Sequence, residues 1–157
     1  MEDIQKYYKN TEQALPHPIV RKFINMNIQP KNAIDLGCGA GRDTIYLIKN
    51  GWKVLSIDKE DTREFISSKL DNEELKRFNF KCQHFENIEL EKNNLLVANF
   101  SIPFCNKNYF NDFWNKVSNS ILEERIFCWK FFGIKRFMGK RKRKNGIFIK
   151  RTSFRII

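Results

Sequence analysis

Short apolar runs alternate with stretches of helical period from residue 19 to residue 134. Ahead of them lies an N-terminal lead in which Pro16 and Pro18 flank His17, a pattern that predicts an extended bend. "IVRKFINMN" (19–27) then brings Ile19, Phe23 and Met26 to helical spacing. "KNAIDL" (31–36) reads as a first strand, and "RDTIYLIKNG" (42–51) as a helix stopped by Gly51. "WKVLSID" (52–58) is a second strand, and "DTREFISSKL" (61–70) a helix that Asp61 can cap. "FNFKCQHF" (78–85) alternates and predicts a third strand. "NNLLVANFSI" (93–102) is apolar enough for a buried fourth strand. "NYFNDFWNKVSNSI" (108–121) places Phe110, Phe113, Trp114 and Val117 on one helical face, and "RIFCWKFFGI" (125–134) is a fifth strand. No internal repeat or flexible linker interrupts this order. Strand and helix alternating throughout imply an α/β fold, a mostly parallel sheet with right-handed crossovers and helices on both faces.

The chain of 157 residues has the length of one domain, and its net charge of +11 needs to be placed before it is interpreted. All 18 acidic residues lie at or before Glu124, where they face 17 basic ones; the remaining 12 Lys and Arg lie between Arg125 and Ile157, with no acid among them. The main body therefore carries no electrostatic footprint for a polyanion. Cys38, Cys82, Cys105 and Cys128 are far apart, with no C-x-x-C pair, so no metal site is expected and each cysteine is expected to pack as a small hydrophobe. The first ten residues, "MEDIQKYYKN", hold no apolar signal-peptide core, and no run approaches the roughly 18 residues that span a membrane. A reducing cytoplasm is the expected setting.

The chemistry concentrates in "AIDLGCGAGRD" (33–43), which sets three glycines between an apolar strand and a helix. A dinucleotide-binding loop needs G-x-G-x-x-G, whereas here Gly37, Gly39 and Gly41 are spaced G-x-G-x-G and Arg42 takes the last position of that motif. Arg42 and Asp43 open the helix, where an acid suits the helix dipole. Asp35-x-Gly37-x-Gly39-x-Gly41, followed by Asp58 at the end of the second strand, resembles the first motif of class I S-adenosylmethionine-dependent methyltransferases. The similarity runs over roughly residues 4–134 and is greatest to bacterial small-molecule enzymes of the tellurite-resistance-like kind.

The resemblance implies a Rossmann-like methyltransferase fold, S-adenosyl-L-methionine as cofactor and a small-molecule methyl acceptor, with no metal. It also implies site residues. Asp35, Gly37, Cys38, Gly39 and Gly41 would let the amino-acid part of the cofactor lie against the backbone. Asp58, with Lys59 beside it, would take the ribose hydroxyls, since two carboxylate oxygens can accept two hydroxyls at once. Phe85 and Glu86 would stand near the adenine, and Asn99, Phe100 and Ser101 beside the transferring methyl. Tyr8 and His17 belong to the segment that closes over the cofactor and are the candidates for a catalytic base. Each has a plainer reading beside it: Asp58 as a helix cap, His17 as a loop histidine, Tyr8 and Phe100 as packing residues.

The last 23 residues, 135–157, break the pattern, with a run of Lys and Arg from Lys140 to Lys144 and no helical period. A complete sheet of this family closes with an antiparallel hairpin after its fifth strand, and this tail reads poorly as one. A change of reading frame near Ile134 to Arg136 accounts for the break. "DSWGK", a continuation common in related enzymes, gives "RFMGK" (136–140) when its codons are read one base early. On that reading the last strands are missing and the fifth is an edge. Alternatively "NGIFIKRTSFRII" (145–157) supplies one hairpin arm, with Asn145-Gly146 as its turn. Two other functions stay open: an inactive cofactor-binding remnant, or salt-sensitive nucleic-acid binding through the basic run. Oligomeric state is not legible.

Overall fold

The computed structural model describes residues 14–130, 145–150 and 155–156, with side chains described up to Ile121. Tyr8 and the basic run Lys140–Lys144 lie outside the described residues. In chain order the elements are α1 (Pro18–Ile24), β1 (Asn32–Leu36), α2 (Arg42–Lys49), β2 (Lys53–Asp58), α3 (Arg63–Ser67), α4 (Asn72–Leu75), β3 (Phe78–Cys82), β4 (Asn93–Asn99), α5 (Phe110–Ser120), β5 (Ile121–Lys130), β6 (Asn145–Lys150) and β7 (Arg155–Ile156). They form one sheet in the order β3-β2-β1-β4-β5-β6-β7. The first five strands are parallel, β6 pairs antiparallel with β5, and β7 pairs antiparallel with β6. The parallel, helix-flanked architecture expected from the alternating sequence is therefore present.

Alternation along the strands builds a core on each face. Ala33, Val54, Leu95 and Val97 pack with Val20 and Phe23 of α1, Leu47 and Ile48 of α2, and Ile66 of α3. Their neighbours Ile34, Leu36, Leu96 and Ala98 point the other way and pack with Phe113 and Val117 of α5. Each fully buried Val, Leu, Ile or Phe side chain among them contributes about 1.5–3 kcal/mol. The chain order reverses between β1 and its two neighbours, β2 and β4. Loops leaving the carboxyl ends of β1 and β4 therefore separate there, which opens the crevice that binds ligands in such sheets.

Several elements differ from their sequence-based bounds, each for a local reason. The first helix ends at Ile24, before Met26; Asn27 takes φ 53° and turns the chain, so Met26 is exposed instead of joining the apolar face. In the helix after β2, Asp61 does accept the Arg63 N–H at 3.1 Å, but Thr62 holds the cap position and the helix stops at Ser67. The helix α4 has no buried residue and hence no apolar period to announce it; Asp71 and Glu74 close a capping box around it. The fifth strand starts at Ile121, directly after α5, despite Glu123 and Glu124.

The edge at β5 that a reading-frame change would leave is not found, and the alternative, an antiparallel arm within 145–157, is nearer to what is present. Residues 145–150 pair antiparallel with 125–130, and Arg155–Ile156 pairs with β6. Asn145 and Gly146 are not a turn: they lie in the ladder opposite Lys130 and Trp129. Cys38 and Cys105 are buried as expected, whereas Cys82, last in the outermost strand β3, is exposed. Among the described residues no helix is long and apolar enough to cross a membrane.

Candidate active site

The carboxyl end of β1 turns sharply because its glycines take backbone angles that side chains disfavour. Gly37 has φ 71° and Gly41, which caps α2, has φ 77°. Space matters as much as angle at Gly37. A Cβ there would lie 2.2 Å from Ser101 Cβ and 3.5 Å from Phe85 Cζ. The missing side chain thus lets the segments following β3 and β4 close onto the glycine loop. At Gly41 a Cβ would lie 2.5 Å from Ile66 Cγ1, so that glycine admits α3.

Asp58, at the end of β2, faces this loop. Its Oδ2 accepts the Gly39 N–H at 2.8 Å and its Oδ1 accepts the Glu60 N–H at 3.1 Å. The plain helix-cap reading does not describe it; it holds the glycine loop instead. Lys59 sits alongside, with its carbonyl accepting the Cys82 thiol at 3.3 Å and its ammonium exposed near Glu60. Cys38 is buried in the loop, 4.0 Å from Thr62 Oγ1. Burial, then Asp35 and Asp58, push its thiol pKa well up, so it stays protonated and inert.

Asp35 lies beneath the loop. It is 3% exposed and accepts the Thr44 hydroxyl at 2.7 Å, and Thr44 in turn meets Ser56 at 2.7 Å. Burial first, then the negative charges of Asp43 and Asp58, raise its pKa to about 7, against the lowering effects of the Thr44 bond and Arg42.

The carboxyl end of β4 carries Asn99, Phe100 and Ser101. Phe100 takes φ 63°, an uncommon conformation for a bulky residue, and its ring meets the His17 ring edge-on at 5.5 Å. Asn99 Nδ2 donates to Asp43 Oδ2 at 2.9 Å. Its Oδ1, and Ser101 Oγ, are buried without hydrogen-bond partners. Other buried polar atoms, such as Arg77 Nε and Asn93 Oδ1, lack partners too, but these two lie together where β4 ends, and a ligand bound there would satisfy both. Phe85 stacks on Phe113 at 5.1 Å, and Glu86 accepts the Asn106 N–H at 3.0 Å, which holds its carboxyl below the usual range.

His17 is brought here from the other end of the chain. Its backbone N–H donates to Asp43 Oδ1 at 2.6 Å, while its Nδ1 accepts the Ile19 N–H at 3.3 Å and caps α1. A nitrogen that accepts carries no proton, so the neutral ring bears its proton on Nε2. Asp43 is the residue that sequence reasoning missed as part of the site. An acid in a first helical turn is already explained by the helix dipole, and its partners stand 26 and 56 residues away, so one sequence held no signal for it.

The parallel β3-β2-β1-β4-β5 order with helices on both faces, and a glycine loop where β1 ends, are those of a class I S-adenosylmethionine-dependent methyltransferase fold. Residues 2–120 match the family of the tellurite resistance protein TehB, and the chain belongs to that family. Among solved structures, TehB from Haemophilus influenzae is 21% identical with a TM-score of 0.63, over 78% of this chain and 43% of that one. A protein from Methanococcus maripaludis, assigned to the S-adenosyl-L-methionine-dependent methyltransferases, is 20% identical with a TM-score of 0.65, over 80% of this chain and 63% of that one. The glycopeptide N-methyltransferase MtfA, complexed with S-adenosyl-L-homocysteine, is 14% identical with a TM-score of 0.62, over 74% and 49%. The chain thus spans between 43% and 63% of the length of these structures. No curated protein sequence matches it. The cofactor of the class is S-adenosyl-L-methionine, and the residues fit it: Asn99 Oδ1 and Ser101 Oγ hold unused polar atoms where the end of β4 closes on the glycine loop.

Proposed function

We propose that the chain transfers a methyl group from S-adenosyl-L-methionine to a small-molecule acceptor. The observation that carries this reading is the pair of unpartnered polar atoms, Asn99 Oδ1 and Ser101 Oγ, set against a glycine loop that Asp58 holds. When bound, the cofactor supplies a methyl already activated on a sulfonium centre. The protein then needs chiefly to position the two reactants and exclude water. In this reading Asp58, with Lys59 beside it, accepts the ribose hydroxyls. Asp35, Gly37, Cys38, Gly39 and Gly41 form the bed for the amino-acid part. Phe85 and Glu86 flank the adenine, and Asn99, Phe100 and Ser101 border the methyl. His17 and Tyr8 are the proposed proton-handling groups; a base role for His17 Nδ1 requires release of its cap bond to Ile19. The free cysteines Cys38, Cys82 and Cys105 support a reducing, cytoplasmic setting.

A thermal melt with and without S-adenosyl-L-homocysteine tests the cofactor half of this reading. A ligand at 100 times its Kd stabilises the native state by about 2.7 kcal/mol, and a clear upward shift of the midpoint is expected. No shift in a cooperative melt would count against the assignment. Asp58→Ala removes a charged hydrogen-bond acceptor, so the affinity measured by titration calorimetry should fall roughly 10- to 100-fold. Unchanged affinity would exclude Asp58 from the site. Binding without turnover on any acceptor offered would favour a cofactor-binding remnant.

A further inference from the structure

Asp43 accepts two donors from two distant parts of the chain, and the second of them has a chemical consequence. Its Oδ1 takes the His17 backbone N–H, which can only donate. Its Oδ2 meets the side-chain amide of Asn99 at 2.9 Å. A carboxylate only accepts, so the amide must turn its NH2 toward Asp43 and its carbonyl oxygen away. That oxygen is the buried Oδ1 without a partner. Asp43 itself is 5% exposed and stands in the first turn of α2, so this arrangement is fixed from beneath the glycine loop.

We infer that Asp43 is a positioning residue that fixes the polarity of the site, forcing Asn99 to present a hydrogen-bond acceptor where β4 ends. The group that meets this point is therefore a cation or an N–H or O–H donor, and an anion lacking a proton is disfavoured there. The inference rests on the proposed cofactor site, because it takes Asn99 to border the methyl position.

The test uses two probes that differ at that point. Sinefungin carries a primary ammonium where S-adenosyl-L-methionine carries its methyl, and S-adenosyl-L-homocysteine carries neither. Both are titrated into the wild-type chain and into Asp43→Asn, Asn99→Leu and the double variant Asp43→Asn/Asn99→Asp. In Asp43→Asn the new amide keeps the His17 bond through its oxygen and offers NH2 to Asn99. Asn99 then turns over and presents NH2 to the site. Sinefungin affinity should fall about tenfold or more relative to S-adenosyl-L-homocysteine affinity. The unliganded variant should still melt cooperatively, because the bond between the two side chains survives. The double variant exchanges carboxylate and amide across the same bond, returns an oxygen to the site and restores the preference for sinefungin. Asn99→Leu keeps the Asp43 charge but removes the oxygen, and should also lose that preference.

A sinefungin preference that persists in Asn99→Leu overturns the inference, since the attraction then comes from Asp43 through space. So does an Asp43→Asn variant that loses both ligands together with its melting midpoint, which is the signature of a structural tie alone. Wild-type binding with no effect of Asp43→Asn overturns this inference only. Failure of the wild-type chain to bind either probe overturns the site reading, and this inference falls with it.

Discussion

Gly37→Ala should destabilise the fold by about 3 kcal/mol or more, measured by urea denaturation, and should remove detectable binding of S-adenosyl-L-homocysteine. Two separate costs meet at this residue. Its φ of 71° is strained for any side chain, and the added Cβ would lie 2.2 Å from Ser101 Cβ, an atom fixed to the backbone that cannot swing aside. Relief requires the end of β4 to move away from the glycine loop, which separates the surfaces that form the crevice. The two costs can be resolved. Adding Ser101→Gly to Gly37→Ala removes the clash but not the backbone strain, so the double variant should recover roughly half of the lost stability, on the view that strain and overpacking cost similar amounts. Gly51→Ala provides the contrast. Its Cβ would come no closer than 3.3 Å to Pro30 Cγ, so at a φ of 85° it carries the backbone cost with little of the clash and should cost less than Gly37→Ala, whereas Gly41→Ala would press on the fully buried Ile66 at 2.5 Å and should be costly as well. Equal losses at Gly37 and Gly51 would show that angle alone sets the requirement, and the close-approach account of Gly37 would fail.

The glycine loop and the succession of strands and helices were legible in the sequence because both depend on neighbours along the chain. Apolar alternation in 33–36, 53–57 and 95–98 reports directly on two-sided burial, and G-x-G-x-G between a strand and a helix reports on backbone angle. Elements without an apolar period were not legible by that means. The helix α4 is polar throughout, and its only signature is the Asp71-x-x-Glu74 capping box. The segment 145–150 was obscured by the basic composition around it, although "IFI" within it is a plausible strand core once a partner such as β5 is present. At the site, the resemblance drew attention to Asp58, but the links that assemble His17, Asp43 and Asn99 span 26 and 56 residues and are products of topology. No local pattern encodes them.

Asp35→Asn should stabilise the protein at pH 8 and change little at pH 4, an effect opposite to that of breaking a paired carboxylate. The unfolded Asp35 carboxyl releases its proton near 3.8, whereas the folded one holds it to about 7. Between those values the native state binds the extra proton, so wild-type stability falls as pH rises through the window and levels off above it. At about 1.4 kcal/mol per pH unit the decline amounts to a few kcal/mol. Its causes are burial first, then Asp43 and Asp58, opposed by the Thr44 hydroxyl and Arg42. Asparagine keeps an oxygen for the Thr44 hydroxyl and cannot ionise, so its urea-denaturation stability should lack this decline, the two proteins diverging between pH 4 and pH 7. Parallel curves for wild type and variant would mean that Asp35 ionises in the folded state as readily as in the unfolded one. The same experiment bears on the glycine loop. Asp35, Asp43 and Asp58 crowd three carboxyl groups around its base, and the one deepest beneath it is the one whose charge the fold resists. Holding that proton spares the loop one negative charge at the point where α2 begins, leaving Asp43 and Asp58 free to bind the donors of His17, Asn99 and Gly39 that set the shape of the crevice.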